Sequence, residues 1–316
     1  MSTVMAADLV SDDDRSVAAD SWSVKSDYGS NVEDEQRHVE ASEILSGGNF
    51  PPSSDYSSDK DVPDANEVEA SMLGLQSYWD ATYAECLTNI HEHGSASEVW
   101  FGSKVMDATL AWTKGLCMNI YQGQNADNST SSKSELTDSD NGLSNLSVLD
   151  IGTGNGLLLQ ELAKQGFSDL TGIDYSRAAI KLAQDLAARD GFSYIKFLVD
   201  DILESKLDKK YHLVMDKGTL DSIGMHPDGP AKRISYWESV SNLVASGGTL
   251  VIASCNNMKD ELLQEVETLN RRRIRADGLH QEEGGEPAVF QYLDHFETSH
   301  DGDGGSHVFL VAFVRK

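Results

Sequence analysis

Cysteine, proline, basic side chains and long apolar runs are all scarce in this chain of 316 residues. Three cysteines, Cys86, Cys117 and Cys255, are too few and too scattered for a disulfide framework or a zinc site. They read as inert packing residues in a reducing compartment, and no metal site is expected. No stretch approaches the roughly 18–20 consecutive apolar residues of a bilayer span. The start, with Asp8, Asp12, Asp13 and Asp14, lacks the basic opening of a signal peptide. A soluble cytoplasmic protein is therefore expected, with the nucleus also open and no membrane partner. Lysine and arginine number 25 against 52 aspartates and glutamates, and the resulting net charge of −27 excludes gripping nucleic acid by bulk electrostatics. At 39% hydrophobic residues the chain also falls below the roughly 45–50% of globular proteins, so part of it is expected to build no core.

That deficit has a location. Residues 1–70 hold 17 acidic and 4 basic side chains, a net of −13, together with Pro51, Pro52 and Pro63, half of the six prolines. Their apolar residues follow neither a period of 2 nor one of 3.6, which predicts a disordered acidic tail. Residues 71–316 are then the folded domain, with a net of −14. Within it, residues 122–145 contain only Ala126, Leu136 and Leu143 as apolar members and read as a long exposed loop behind a helical appendage over 71–121.

From Leu146 onward the pattern is regular. Short β-branched runs at 147–151, 170–173, 195–199, 212–215, 249–253 and 307–314 alternate with helical spacing at 157–165, 177–189, 232–244 and 259–271. Strands with little polar interruption imply a sheet covered on both faces, so a doubly wound, Rossmann-like α/β sheet with helices on both sides is expected. Residues 288–292 and 308–314 flank the Gly- and Asp-rich stretch 300–306 with no helix between them, which predicts a closing antiparallel hairpin.

The richest segment is Asp150-Ile151-Gly152-Thr153-Gly154-Asn155-Gly156-Leu157, where the first strand gives way to the first helix of the sheet. Glycine permits positive φ and close backbone approach, so three alternating glycines can wrap a small molecule at the strand's carboxyl end. A dinucleotide loop would have its third glycine where Leu157 stands, and no Gly-Lys-Ser/Thr closes a P-loop. A carboxylate two residues before Gly152 gives little to a phosphate but attracts a cationic sulfonium bearing an ammonium, which points to S-adenosylmethionine. Asp174, in Ile173-Asp174-Tyr175-Ser176, ends the second strand where an acid accepts ribose hydroxyls; its alternative is to cap the next helix, a task open equally to Ser176. Val199-Asp200-Asp201-Ile202 ends the third strand and offers one carboxylate to an adenine amino group and the Ile202 side chain to the ring face.

Together these motifs resemble the class I, seven-stranded S-adenosylmethionine-dependent methyltransferases from Leu146 to the C-terminus. Met215-Asp216-Lys217-Gly218-Thr219-Leu220-Asp221-Ser222-Ile223 is similar to the signature of a protein-lysine branch. Ser77-Tyr78-Trp79-Asp80-Ala81-Thr82-Tyr83, Trp100-Phe101-Gly102 and Ala253-Ser254-Cys255-Asn256-Asn257 resemble elements of the translation elongation factor 1-alpha lysine methyltransferases. The resemblance implies the strand order 3-2-1-4-5-7-6 with the last strand antiparallel. It assigns Asp150, Gly152, Gly154 and Gly156 to the methionine portion of the cofactor, Asp174 with Tyr175 to the ribose side, and Asp201 with Ile202 to the adenine. Trp100 and Phe101 are placed at the cofactor site largely by the same resemblance.

Asp216 is expected to border the methyl group, to orient the acceptor amine and to help remove its proton; its alternative is to cap the following turn. Lys217 is expected at most to pair with Asp221. Tyr78, Trp79, Trp100 and Phe101 can close over cofactor or clasp a lysine stem, although the spacing of Trp79 and Tyr83 also suits burial. The function implied is methylation of a lysine in a protein, with elongation factor 1-alpha as the partner and a monomer as the form. Methylation of another protein or of a small molecule, and a catalytically silent binding module, are the alternatives. The acidity, and Asp-Lys-Gly-Thr in place of an Asn/Asp-Pro-Pro-aromatic motif, stand against a nucleic acid.

Overall fold

Successive side chains along a strand point to opposite faces, and the central strands are apolar on both, so they feed two cores at once. Val148, Leu213, Met215, Val251 and Ala312 join one buried cluster, whereas Leu149, Ile151, Val214, Leu250, Ile252 and Val311 join another. The computed structural model describes residues 72–94, 99–126, 142–276, 289–299 and 307–316. The acidic segment 1–70 and most of the loop expected at 122–145 lie outside these residues.

The elements, in chain order, are α1 (Gln76–His93), α2 (Gly102–Ala126), β1 (Ser147–Ile151), α3 (Leu157–Lys164), β2 (Asp169–Asp174), α4 (Arg177–Arg189), β3 (Lys196–Val199), β4 (Tyr211–Lys217), α5 (Thr219–Met225), α6 (Gly229–Leu243), β5 (Val244–Ser254), α7 (Lys259–Ala276), β6 (Phe290–Ser299) and β7 (His307–Arg315). They form a seven-stranded sheet in the order β3-β2-β1-β4-β5-β7-β6. β7 runs antiparallel to both β5 and β6, and the other pairings are parallel. Fold class, strand order and closing hairpin agree with the sequence reading.

Leu158, Leu159 and Leu162 of α3, Ile180 and Ala183 of α4, and Met106 and Leu110 of α2 cover one face of the sheet. Tyr236, Trp237 and Val240 of α6, with Leu262 and Val266 of α7, cover the other. Several boundaries differ from expectation, among them β6, which runs through Ser299 rather than ending at Tyr292, and α7, which runs through Ala276 rather than ending at Arg271. Helix α2 continues through Ala126, five residues into the stretch read as loop, because the polar Gln122-Gly123-Gln124-Asn125 run extends a helix already nucleated by its apolar turns. Helix α5 went unread, since its seven residues give too short a window for a 3.6 period. Val244, read as the end of a helix, instead opens β5 opposite Tyr211.

Candidate active site

The order of the sheet reverses between β1 and β4, and a cavity of about 240 Å³ opens at the carboxyl ends of the strands there, where open α/β sheets bind ligands. It is lined by the loops after β1, β2, β3 and β4, and by α1 from the other side. Asp150, Gly152, Gly154, Asp174, Tyr175, Asp201, Ile202 and Trp100 all line it. Gly156, Phe101 and Asp216, expected at the site, are not among its lining residues.

At Gly154 the backbone has φ 54, and a Cβ there would lie 2.3 Å from the Tyr83 hydroxyl, so only glycine lets α1 close this tightly on the loop. Gly156 serves packing: its Cβ would strike Phe197 at 2.7 Å and Ala183 at 2.9 Å, so it brings α3 close to the sheet.

The carboxylates divide by what already occupies their oxygens. Asp150 accepts one bond, from the Thr153 hydroxyl at 2.7 Å. Asp174 accepts the Gly154 amide on one oxygen at 3.0 Å and the Ser176 amide on the other at 2.9 Å. Ser176 itself supplies the N-cap of α4, accepting the Ala179 amide, which releases Asp174 from that task. Asp200 is spent within its own loop, on the Ser205 hydroxyl at 2.5 Å and the Lys206 amide at 3.2 Å. Asp201 caps only the Leu203 amide with Oδ1, at 2.9 Å, which leaves it the freer of the two acids. Burial raises Asp150 to about 7 and Asp174 to about 6, so both carry unrelieved desolvation.

Asp216 is fully buried and turned away from the cavity. Oδ1 accepts the Thr219 amide at 2.9 Å, and Oδ2 accepts the Leu220 amide at 3.1 Å and the Tyr236 hydroxyl at 2.7 Å. Its geometry is that of the cap of α5, pinned from behind by α6, and no face is left for an acceptor amine. Lys217 does not pair with Asp221 either. Asp221 is held by the Ser254 hydroxyl, the Cys255 amide at 3.0 Å and the Asn257 amide at 2.8 Å, and so braces α5 against the end of β5. Lys217 instead lines the cavity, and burial lowers it to about 8 while Asp150 and Asp216 pull it back up.

The opposite wall is aromatic. Trp79 meets Trp100 edge-on at 5.2 Å and Tyr78 at 5.3 Å, and lies over Tyr83 at 6.0 Å. The Trp79 indole donates to the Leu73 carbonyl at 2.8 Å and to the Ser222 hydroxyl at 3.1 Å, which ties α1 to α5. Trp79 is thus cavity wall and not core. Of the cysteines read as inert packing, Cys117 is buried, but Cys86 lines the cavity and Cys255 is exposed.

The chain matches the methyltransferase domain family over residues 143–287. It is 38% identical over 210 residues to human EEF1A lysine methyltransferase 2, spanning 66% of this chain and 79% of that relative. It is 31% identical over 258 residues to the protein-lysine N-methyltransferase EFM4 of Saccharomyces cerevisiae, spanning 79% of this chain and 97% of that relative. The chain belongs to the EEF1A lysine methyltransferase 2 family. Among solved structures it is similar to the magnesium protoporphyrin IX methyltransferase of Synechocystis with S-adenosylhomocysteine bound, at TM-score 0.46 and 18% identity, covering 78% of this chain and all of that one.

In this methyltransferase Tyr83, Cys86 and Lys217 line the cavity, a place the sequence reading gave to none of them. Tyr83 and Lys217 lay in motifs already singled out, and only Cys86 lay outside them. The buried acids predict a pH dependence. Their folded-state pKa values, raised to about 7 for Asp150, about 6 for Asp174 and about 7 for Asp216, exceed the ordinary 3.8. The stability they permit is fully present below about pH 4 and is lost as pH rises through about 6 to 7. Lys217, lowered from 10.5 to about 8, titrates above that window. The ligand-free enzyme should therefore melt at a lower temperature at about pH 7.5 than at about pH 5.5. A cationic ligand should stabilise it more at the higher pH, and calorimetric melting in both buffers checks both statements.

Proposed function

We propose that this chain is a protein-lysine N-methyltransferase that moves a methyl group from S-adenosylmethionine to a lysine of translation elongation factor 1-alpha. The observation that carries the reading is the pairing, in one cavity, of two desolvated carboxylates with an aromatic wall that α1 brings from outside the sheet. S-adenosylmethionine suits this donor set. Asp150 is a buried acid whose charge a cationic ligand would relieve, and Asp174 and Asp201 retain acceptor capacity for ribose hydroxyls and an adenine amino group. Glycines at 152 and 154 leave room against the loop backbone, and Ile202 and Tyr175 offer side chains to the rings. Phe101 and Gly156 support this site from behind.

Bound S-adenosylmethionine supplies an electrophilic methyl on a sulfonium. The protein's part is placement and desolvation. Trp79 and Trp100 exclude water and hold the aliphatic stem of the acceptor lysine, and an apolar surrounding favours the neutral amine that reacts. The acceptor's proton leaves to water at the mouth of the cavity, since Asp216 offers it no oxygen.

A chain with net charge −27 suits a basic protein partner better than nucleic acid or an anionic membrane. No helix among the described residues is long and apolar enough to cross a membrane. We assign a monomer acting in the cytoplasm or nucleus. The test is incubation of the full chain with purified elongation factor 1-alpha and S-adenosylmethionine, followed by mass spectrometry of its lysine-containing peptides. Methyl mass increments on a defined lysine are expected. Methylation of other lysate proteins, but not of this factor, would refute the substrate.

A further inference from the structure

Trp100 stands in the cavity wall although its side chain is 41% exposed, so burial alone does not hold it there. Its neighbour Phe101 has φ 70, the one positive φ among the described non-glycine residues, and such a backbone persists only where the surroundings over-determine it. On one side the Phe101 ring packs on the cluster of Val105, Ala253, Val308 and Leu310. On the other side stands Lys217, the last residue of β4. Its ammonium donates to the Trp100 carbonyl at 3.2 Å and lies 5.6 Å from the centre of the Phe101 ring. The next residue, Gly218, has φ 88, and a Cβ there would come within 2.6 Å of the Trp100 indole nitrogen. The end of β4 therefore grips the turn twice, through the Lys217 ammonium and through the missing side chain of Gly218.

We propose that Lys217 is a positioning residue, whose ammonium fixes the Trp100-Phe101 turn as the acceptor-side wall of the cavity. The alternative use of this half-buried lysine is to neutralise the carboxylates beside it. Asp150 and Asp216 are within its field, yet the hydrogen bond goes to a backbone carbonyl 117 residues earlier in the chain. The wall that Lys217 fixes contacts the acceptor, so its loss should fall on the protein substrate and spare the cofactor. This assignment rests on the lysine-methylating activity proposed above for its kinetic arm alone.

The experiment compares wild type, Lys217→Met, Trp100→Ala and the double variant, all in the full chain. Lys217→Met is expected to keep cofactor affinity within about threefold while kcat/KM for elongation factor 1-alpha falls about tenfold. Because Lys217 acts through Trp100, it should cost less than about twofold more in the Trp100→Ala background. Equal losses in both backgrounds, a loss confined to cofactor affinity, or no loss would each overturn the proposal. A second readout needs no substrate. In protein labelled with 5-fluorotryptophan, the fluorine resonance of Trp100, assigned with Trp100→Phe, should shift or broaden in Lys217→Met while that of buried Trp237 stays in place. An unmoved Trp100 resonance refutes the positioning role. A wild-type enzyme that fails to methylate the factor refutes the substrate instead.

Discussion

Replacing Asp174 by alanine should weaken S-adenosylmethionine binding by about 100-fold, read by isothermal titration calorimetry. Asp174 ends β2 almost wholly buried, with each oxygen oriented by one backbone amide, from Gly154 and from Ser176. A carboxylate held this way is prepared for a diol: each oxygen keeps a lone pair, and no side-chain motion need be arrested on binding. Two charge-assisted bonds of roughly 1.5–3 kcal/mol each sum to at least about 3 kcal/mol, or about two orders of magnitude in affinity. The fold should survive. Burial already raises Asp174 to about 6, so the charge costs the unliganded protein free energy, and the Gly154 amide left behind lines a cavity that water can enter. A variant that folds and binds with unchanged affinity would remove Asp174 from the cofactor site.

The second large effect separates two substitutions at one position. Asp216→Ala should destabilise the protein by about 3 kcal/mol, because the Thr219 and Leu220 amides and the Tyr236 hydroxyl all lose their acceptor in a site closed to water. Asp216→Asn should cost less than about 1 kcal/mol, since its carbonyl can still receive the helix amides and the Tyr236 hydroxyl can turn to accept from the new amide. It also removes a carboxylate that burial raises to about 7. Denaturant unfolding measures both. The same Asp216→Asn enzyme should methylate at a rate within about threefold of wild type. A loss of several orders of magnitude without loss of stability would return this carboxylate to the chemistry.

The position of Asp216 also shows where a sequence reading stops. Its place in the motif was legible, as were the end of β4 and the sheet edge that β4 reaches. Whether its side chain points to the cavity or behind it depends on Tyr236, which arrives from α6 on the far face. Gly156 makes the same point. Three alternating glycines read as one ligand loop, but the third meets Phe197 and Ala183, contacts that exist only once α3 and α4 have packed on the sheet. Asp200 and Asp201 were indistinguishable as neighbours in the chain, and the turn to Ser205 separates them.

By itself the sequence determined the strand–helix alternation, the glycine loop that lines the cavity and the acidic balance, because these follow from local period, loop composition and charge. The fold class and the carboxylates at 150 and 174 were legible from residues close together in the chain, whereas the choice of Asp201 over Asp200 was not. The aromatic wall, the capping of α5 by Asp216 and the hold of Lys217 on Trp100 were decided only by the tertiary structure. Each joins residues between three and about 140 positions apart that lie in different elements or in a turn between them. Such contacts depend on which faces meet when apolar surfaces are buried, and no local pattern encodes that choice.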